Sequence, residues 1–141
     1  RLLLLPYEEG LAGHLAAYRA VDIGLDPFPY NGTTTTCEAL LMGVPVLTLG
    51  GDRFIAHVGE SILRTVGLPD WIAANPADFV ARASAVAENR AALAALRQTL
   101  RPRFLASPLC DAPRFARNLE AAFETMWQRL CAAQGDDRGS D

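Results

Sequence analysis

Apolar positions along the chain fall into short unbroken runs separated by stretches of helical periodicity. Leu2 to Leu5 form a continuous apolar run ended by Pro6, the pattern of a strand buried on both faces. Leu11 to Ala20 read as a short helix, and Val21 to Leu25 as a second apolar strand closed by Asp26-Pro27-Phe28-Pro29. Thr34 to Met42 has helical spacing, with Gly43 and Pro45 as stop signals. Val46 to Leu49 is a third strand, Phe54 to Val66 a helix ended by Gly67, and Trp71 to Ala73 a short fourth strand.

Strands alternating with helices at this spacing predict right-handed βαβ units: an α/β fold, Rossmann-like, with a parallel sheet and helices on both faces. The remainder turns helical. Asn75-Pro76 places a cap and a first-turn proline in the preferred order. Asn89 to Leu100 continues the helical pattern until Pro102. Phe115, Leu119, Phe123, Met126, Trp127 and Leu130 recur at the period of a long amphipathic C-terminal helix. The expected organisation is one lobe over 1–132, followed by a disordered polar tail over 133–141.

Composition narrows the function classes. The 141 residues suit one domain, and half of them are apolar, ample for one core. The thirteen basic residues are all arginine and are scattered, and the net charge is −3, which argues against a nucleic-acid partner. No stretch approaches the roughly 20 apolar residues needed to cross a bilayer, so no membrane partner is expected. RLLLL is too short for a signal-peptide core. Arg1 opens directly onto an apolar run, so the chain reads as a piece of a longer protein. Cys37, Cys110 and Cys131 are odd in number and share no metal-type spacing, which reads as reduced thiols of a cytoplasmic protein.

The chemistry concentrates at Asn31-Gly32-Thr33-Thr34-Thr35-Thr36, between the second strand and its following helix. In an open parallel sheet, ligands bind beyond the carboxyl ends of the strands. A helix start offers unpaired backbone N–H groups and a positive dipole end. A diphosphate meets those donors at little cost, and small hydroxylated residues let it come close while adding donors. Gly32 is expected to allow the backbone twist that aims the amides inward. The plainer reading is a capped helix, but one threonine serves for that, and four β-branched residues in a row are mediocre helix formers. Glu38, one turn further on, is placed either to accept two ribose hydroxyls or to sit solvated on the helix surface.

The segment DIGLDPFPYNGTTTTCEALLMGVPVLTLGGDRF, the Ser107-Pro108-Leu109 triplet and FARNLEAAFETMW resemble the C-terminal part of the catalytic region of O-linked N-acetylglucosamine transferases and their bacterial relatives, which carry tetratricopeptide repeats upstream. The resemblance runs over about 1–132. It implies the C-terminal, nucleotide-binding lobe of a two-lobed GT-B-type glycosyltransferase. It also implies UDP-N-acetylglucosamine as donor, transfer to Ser/Thr hydroxyls of a protein or peptide with inversion, and no obligatory metal or other cofactor. By alignment on the motif, Thr34 and Thr35 would hold the diphosphate, Glu38 the ribose, and His14 would stand beside the nucleotide.

The chain departs from the animal enzymes at Thr33 (histidine there), Glu38 (aspartate), and Leu11 and Ala17 (basic residues), and His57 stands where many relatives carry arginine. These differences bear on donor identity. Gly50-Gly51-Asp52 reads as a structural turn, Asp26 as turn chemistry before Pro27, and Ser61 lacks a histidine–acid framework. No general base is found within these residues. It is therefore expected, with a basic phosphate partner, on an upstream lobe, and the fragment alone is expected to be inactive. The alternative is a non-catalytic nucleotide-binding or interaction module that retains the fold, and a third reading is another enzyme class on it, such as a sugar-nucleotide epimerase.

Overall fold

A computed structural model describes residues 4, 5 and 9–136. The chain divides into two compact units, 1–109 and 110–141. In the first, α1 (Gly10–Ala17) runs into a 3₁₀ turn over Tyr18–Ala20, and β1 (Gly24–Leu25) follows. Then come α2 (Thr34–Leu41), β2 (Val46–Leu49), α3 (Phe54–Val66), a 3₁₀ turn, β3 (Ile72–Ala73), α4 (Pro76–Glu88) and α5 (Arg90–Leu105). The second unit contains α6 (Ala112–Asp136).

The three strands lie in the order β1-β2-β3 and are all parallel. Gly24 pairs with Val46 in the first ladder, and Thr48 with Ile72 in the second. All four residues of β2 are buried, which requires cover on both faces, since alternate side chains of a strand point opposite ways. Leu47 meets Leu40 of α2, Ile62 and Leu63 of α3, and Leu100 and Phe104 of α5 in the main core. Val46 instead packs with Ala39 and Val44, against Tyr18 and Val21.

Helix ends follow the local chemistry. Gly67 closes α3 at φ 78°, a left-handed conformation that glycine adopts freely, and its N–H bonds the Arg64 carbonyl. Asn75 caps α4 by accepting from the Asp78 amide at 2.9 Å, with Pro76 in the first turn.

Four expectations need correction. The run over 2–5 lies partly outside the described residues; Leu4 and Leu5 are described, carry no strand and are exposed. Of Val21 to Leu25, only Gly24 and Leu25 form strand, because β1 bonds β2 from Gly24 onward: Gly24 N–H to the Pro45 carbonyl, Asp26 N–H to that of Leu47. Pro102 does not end α5, which continues to Leu105. Proline removes one helical donor, but Leu100 and Phe104 on either side of it are buried in the core, and that burial holds the turn in place. Finally, α6 runs through residue 136, four residues into the expected tail, and 137–141 lie outside the described residues.

Candidate functional site

The threonine tract lies where the βαβ logic places it, after β1 and at the start of α2. Thr33 occupies the cap position, yet no side chain caps the helix. The first internal bond runs from the Cys37 N–H to the Thr33 carbonyl at 3.1 Å, so the amides of Thr34, Thr35 and Thr36 precede the helical ladder. Thr33, Thr34 and Thr35 are exposed. Capping is therefore not what the repeated hydroxyls do. The turn presents donors, with the positive end of α2 behind them, to whatever lies in front.

Beneath this face the remaining motif residues point inward. Asn31 is fully buried: its amide nitrogen donates to the Pro27 carbonyl at 3.2 Å, and its oxygen accepts from the Gly59 N–H at 3.3 Å. The Thr36 hydroxyl, also buried, donates back to the Gly32 carbonyl at 3.0 Å. Both side chains, expected among the ligand contacts, are buried and brace the turn. Gly32 is not in the left-handed region, and its N–H donates to Asp26 Oδ1 at 2.7 Å. Its requirement is space rather than the expected twist, because a Cβ there would fall 2.6 Å from Thr35 Oγ1 and 2.7 Å from Thr36 Oγ1.

His14 and Glu38 are brought together: His14 Nε2 lies 2.9 Å from Glu38 Oε2. Glu38 is neither free nor merely solvated, since the Tyr18 hydroxyl also approaches its Oε2 at 3.4 Å and bonds the Thr35 carbonyl at 3.2 Å. The rings of His14 and Tyr18 meet edge to face with centroids 5.7 Å apart. Burial, then the Glu38 charge, push the Tyr18 phenol above its ordinary pKa, so it remains a donor at neutral pH. A cavity of about 150 Å³ opens beside the tract, lined by Tyr18, Asp26, Thr35 and Thr36 among others.

Tyr18 and Asp26 are the residues that sequence reasoning missed. Tyr18 lies four residues beyond His14, one helical turn along the same face, and that spacing was the available signal. Asp26 is not simple turn chemistry. It is buried, and its Oδ2 accepts from the Thr48 hydroxyl of β2 at 2.6 Å. Burial pushes its carboxyl above the ordinary pKa, opposed by the bonds from Thr48 and Gly32. Asp22 takes a different place, exposed and ion-paired with Arg97. His57 is exposed beside Glu60 at 3.5 Å. Among the described residues no group of three or more His, Cys, Asp or Glu is arranged to hold a metal ion, and no helix is long and apolar enough to cross a membrane.

An open parallel sheet whose strands are joined by helices, with an uncapped helix end beyond a strand tip, defines an α/β lobe of the Rossmann-like kind. The family model for Glycosyl transferase family 41 matches residues 9–119, and the chain belongs to that family. It is 48% identical over 118 residues to the Probable UDP-N-acetylglucosamine--peptide N-acetylglucosaminyltransferase SPINDLY of Solanum lycopersicum, covering 84% of this chain and 13% of that protein. The similarly named SEC protein of Arabidopsis thaliana is 32% identical over 122 residues, covering 86% and 12%. Among solved structures, a mutant O-GlcNAc transferase of Thermobaculum terrenum superposes with a TM-score of 0.79 at 35% identity, over 85% of this chain and 23% of that one. The chain thus spans about an eighth of the length of these curated relatives.

Proposed function

We propose that this chain is the nucleotide-binding lobe of an inverting glycosyltransferase that moves N-acetylglucosamine from UDP-N-acetylglucosamine to serine or threonine hydroxyls of a protein or peptide. The observation that carries the proposal is the uncapped start of α2, its exposed threonines set beside the His14–Glu38 pair. The donor and the peptide acceptor are those printed in the names of the SPINDLY and SEC relatives.

In a direct displacement, a bond forms from the acceptor oxygen to the anomeric carbon as the bond to the diphosphate oxygen breaks. The departing UDP gathers the negative charge. The amides at the head of α2 and the hydroxyls of Thr33, Thr34 and Thr35 stabilise that charge without an obligatory metal. Glu38 accepts from the ribose hydroxyls, and His14 stands beside the nucleotide. Asn31, Gly32 and Thr36 shape the turn from below. The base that takes the acceptor proton, and a basic partner for the phosphates, come from an upstream lobe, which tetratricopeptide repeats precede in a cytoplasmic protein.

The test is product analysis with the chain joined to its upstream lobe, UDP-N-acetylglucosamine and serine-containing peptides. The expected result is a peptide mass gain of one N-acetylhexosamine, lost in a Thr34→Val, Thr35→Val double variant. Transfer of a different sugar from another nucleotide would correct the donor and keep the lobe assignment. Absence of transfer from any sugar nucleotide would contradict the enzyme reading.

A further inference from the structure

Below the threonine face lies a buried carboxylate. Asp26 follows β1 directly and is anchored there by its own N–H, which donates to the Leu47 carbonyl at 2.9 Å. Its two oxygens reach in different directions: one accepts from the Gly32 N–H at 2.7 Å, the other from the Thr48 hydroxyl at 2.6 Å. Three elements meet at this group, because α3 contributes Gly59, where a Cβ would lie 2.5 Å from both Asp26 Oδ2 and Thr48 Oγ1. Burying a carboxylate is costly, and a turn that needed only hydrogen-bond satisfaction has cheaper neutral solutions. What the carboxylate accomplishes is geometric. It ties the residue immediately before the tract to β1 and β2.

We propose that Asp26 is a positioning residue for the anion-binding turn: by holding the Gly32 amide against the ends of β1 and β2, it fixes the direction in which the α2 amides and Thr33–Thr35 hydroxyls point. Asp26 acts through that turn. Asn31 supports the same turn from the other side through Gly59 and Pro27. This rests on the nucleotide reading of the site for its functional consequence, though not for its structural one. Asparagine at position 26 can reproduce both contacts, accepting from Gly32 with its oxygen and donating to Thr48, whose hydroxyl then accepts. Alanine reproduces neither.

The experiment follows the backbone amides of this 141-residue chain by NMR in the wild type and in Asp26→Ala, Asp26→Asn and Thr48→Val, with hydrogen exchange and a UDP titration. In Asp26→Ala, exchange at Gly32 should quicken and UDP affinity fall, each by about tenfold or more, the loss expected for a hydrogen bond to a charged group. The amides of α4 and α5 should keep their wild-type shifts, and Asp26→Asn should recover both quantities. Should Asp26→Ala fail to fold, Thr48→Val still removes one of the two bonds and should quicken Gly32 exchange by a smaller factor.

The positioning role is overturned if the Gly32 amide stays protected in Asp26→Ala and Thr48→Val, or if the turn loosens while UDP affinity is unchanged. It is equally overturned if Asp26→Asn is as damaging as alanine. A wild type that ignores UDP, with Gly32 exchange still dependent on Asp26, would sink the nucleotide reading alone and leave the role of Asp26 in fixing the turn.

Discussion

At the scale of single residues, the motif separates into a face and a foundation. Thr34 and Thr35 face outward at the head of α2, whereas Asn31 and Thr36 spend their polar groups inside the fold. Replacing either outward threonine with valine should weaken UDP binding by about 1.5–3 kcal/mol while leaving thermal stability nearly unchanged, because a hydroxyl donor to a charged oxygen is lost without opening a cavity. Gly59→Ala should act in the opposite sense, on stability first: its Cβ would intrude on Asp26 and Thr48, costing about 1–3 kcal/mol in a denaturant melt.

Asp26 also carries a pH signature. Its folded-state pKa is raised by burial, so its contribution to stability is fully present below the ordinary carboxylate pKa and is lost as pH rises through the raised folded value. Asp26→Asn should therefore gain stability relative to wild type across that rise, measured by urea unfolding at a series of pH values. A stability difference that stayed flat with pH would show that Asp26 is not perturbed. None of this was legible from the string DIGLDPFP, where an aspartate before proline reads as a turn former. Its burial depends on Thr48 and Gly59, 22 and 33 positions away along the chain.

At the scale of elements, local chemistry was a good guide wherever it had one strong signal. Residues 54–66 were expected to be helical and are, because an apolar stripe is closed by a glycine free to take the left-handed conformation. Asn75 begins α4 as its cap-and-proline order implies, and Asn75→Ala should cost about 0.5–2 kcal/mol in thermal or denaturant unfolding. The misreading at Pro102 arises because tertiary burial outweighs a local breaker. Pro102 sits within α5 because Leu100 and Phe104 fill the core. Leu100→Ala should destabilise the fold by about 2–5 kcal/mol, as expected for a buried leucine that leaves a cavity.

Across the whole molecule, the alternation of strand and helix was enough to place the tract beyond a strand tip, and the parallel order β1-β2-β3 agrees. The His14–Glu38 contact links residues 24 apart through two different elements, so periodicity alone placed neither beside the other; the family resemblance implied only that each stands near the nucleotide. The chain spans about an eighth of the length of its curated relatives, and what is proposed of it is that the head of α2 receives a nucleotide's diphosphate. The most direct measurement is an amide-resolved UDP titration of this chain. Shifts centred on Gly32 to Cys37 and on His14, diminished in the Thr34→Val, Thr35→Val variant, are the predicted result. Shifts that are absent, or that centre elsewhere and survive both substitutions, would contradict it.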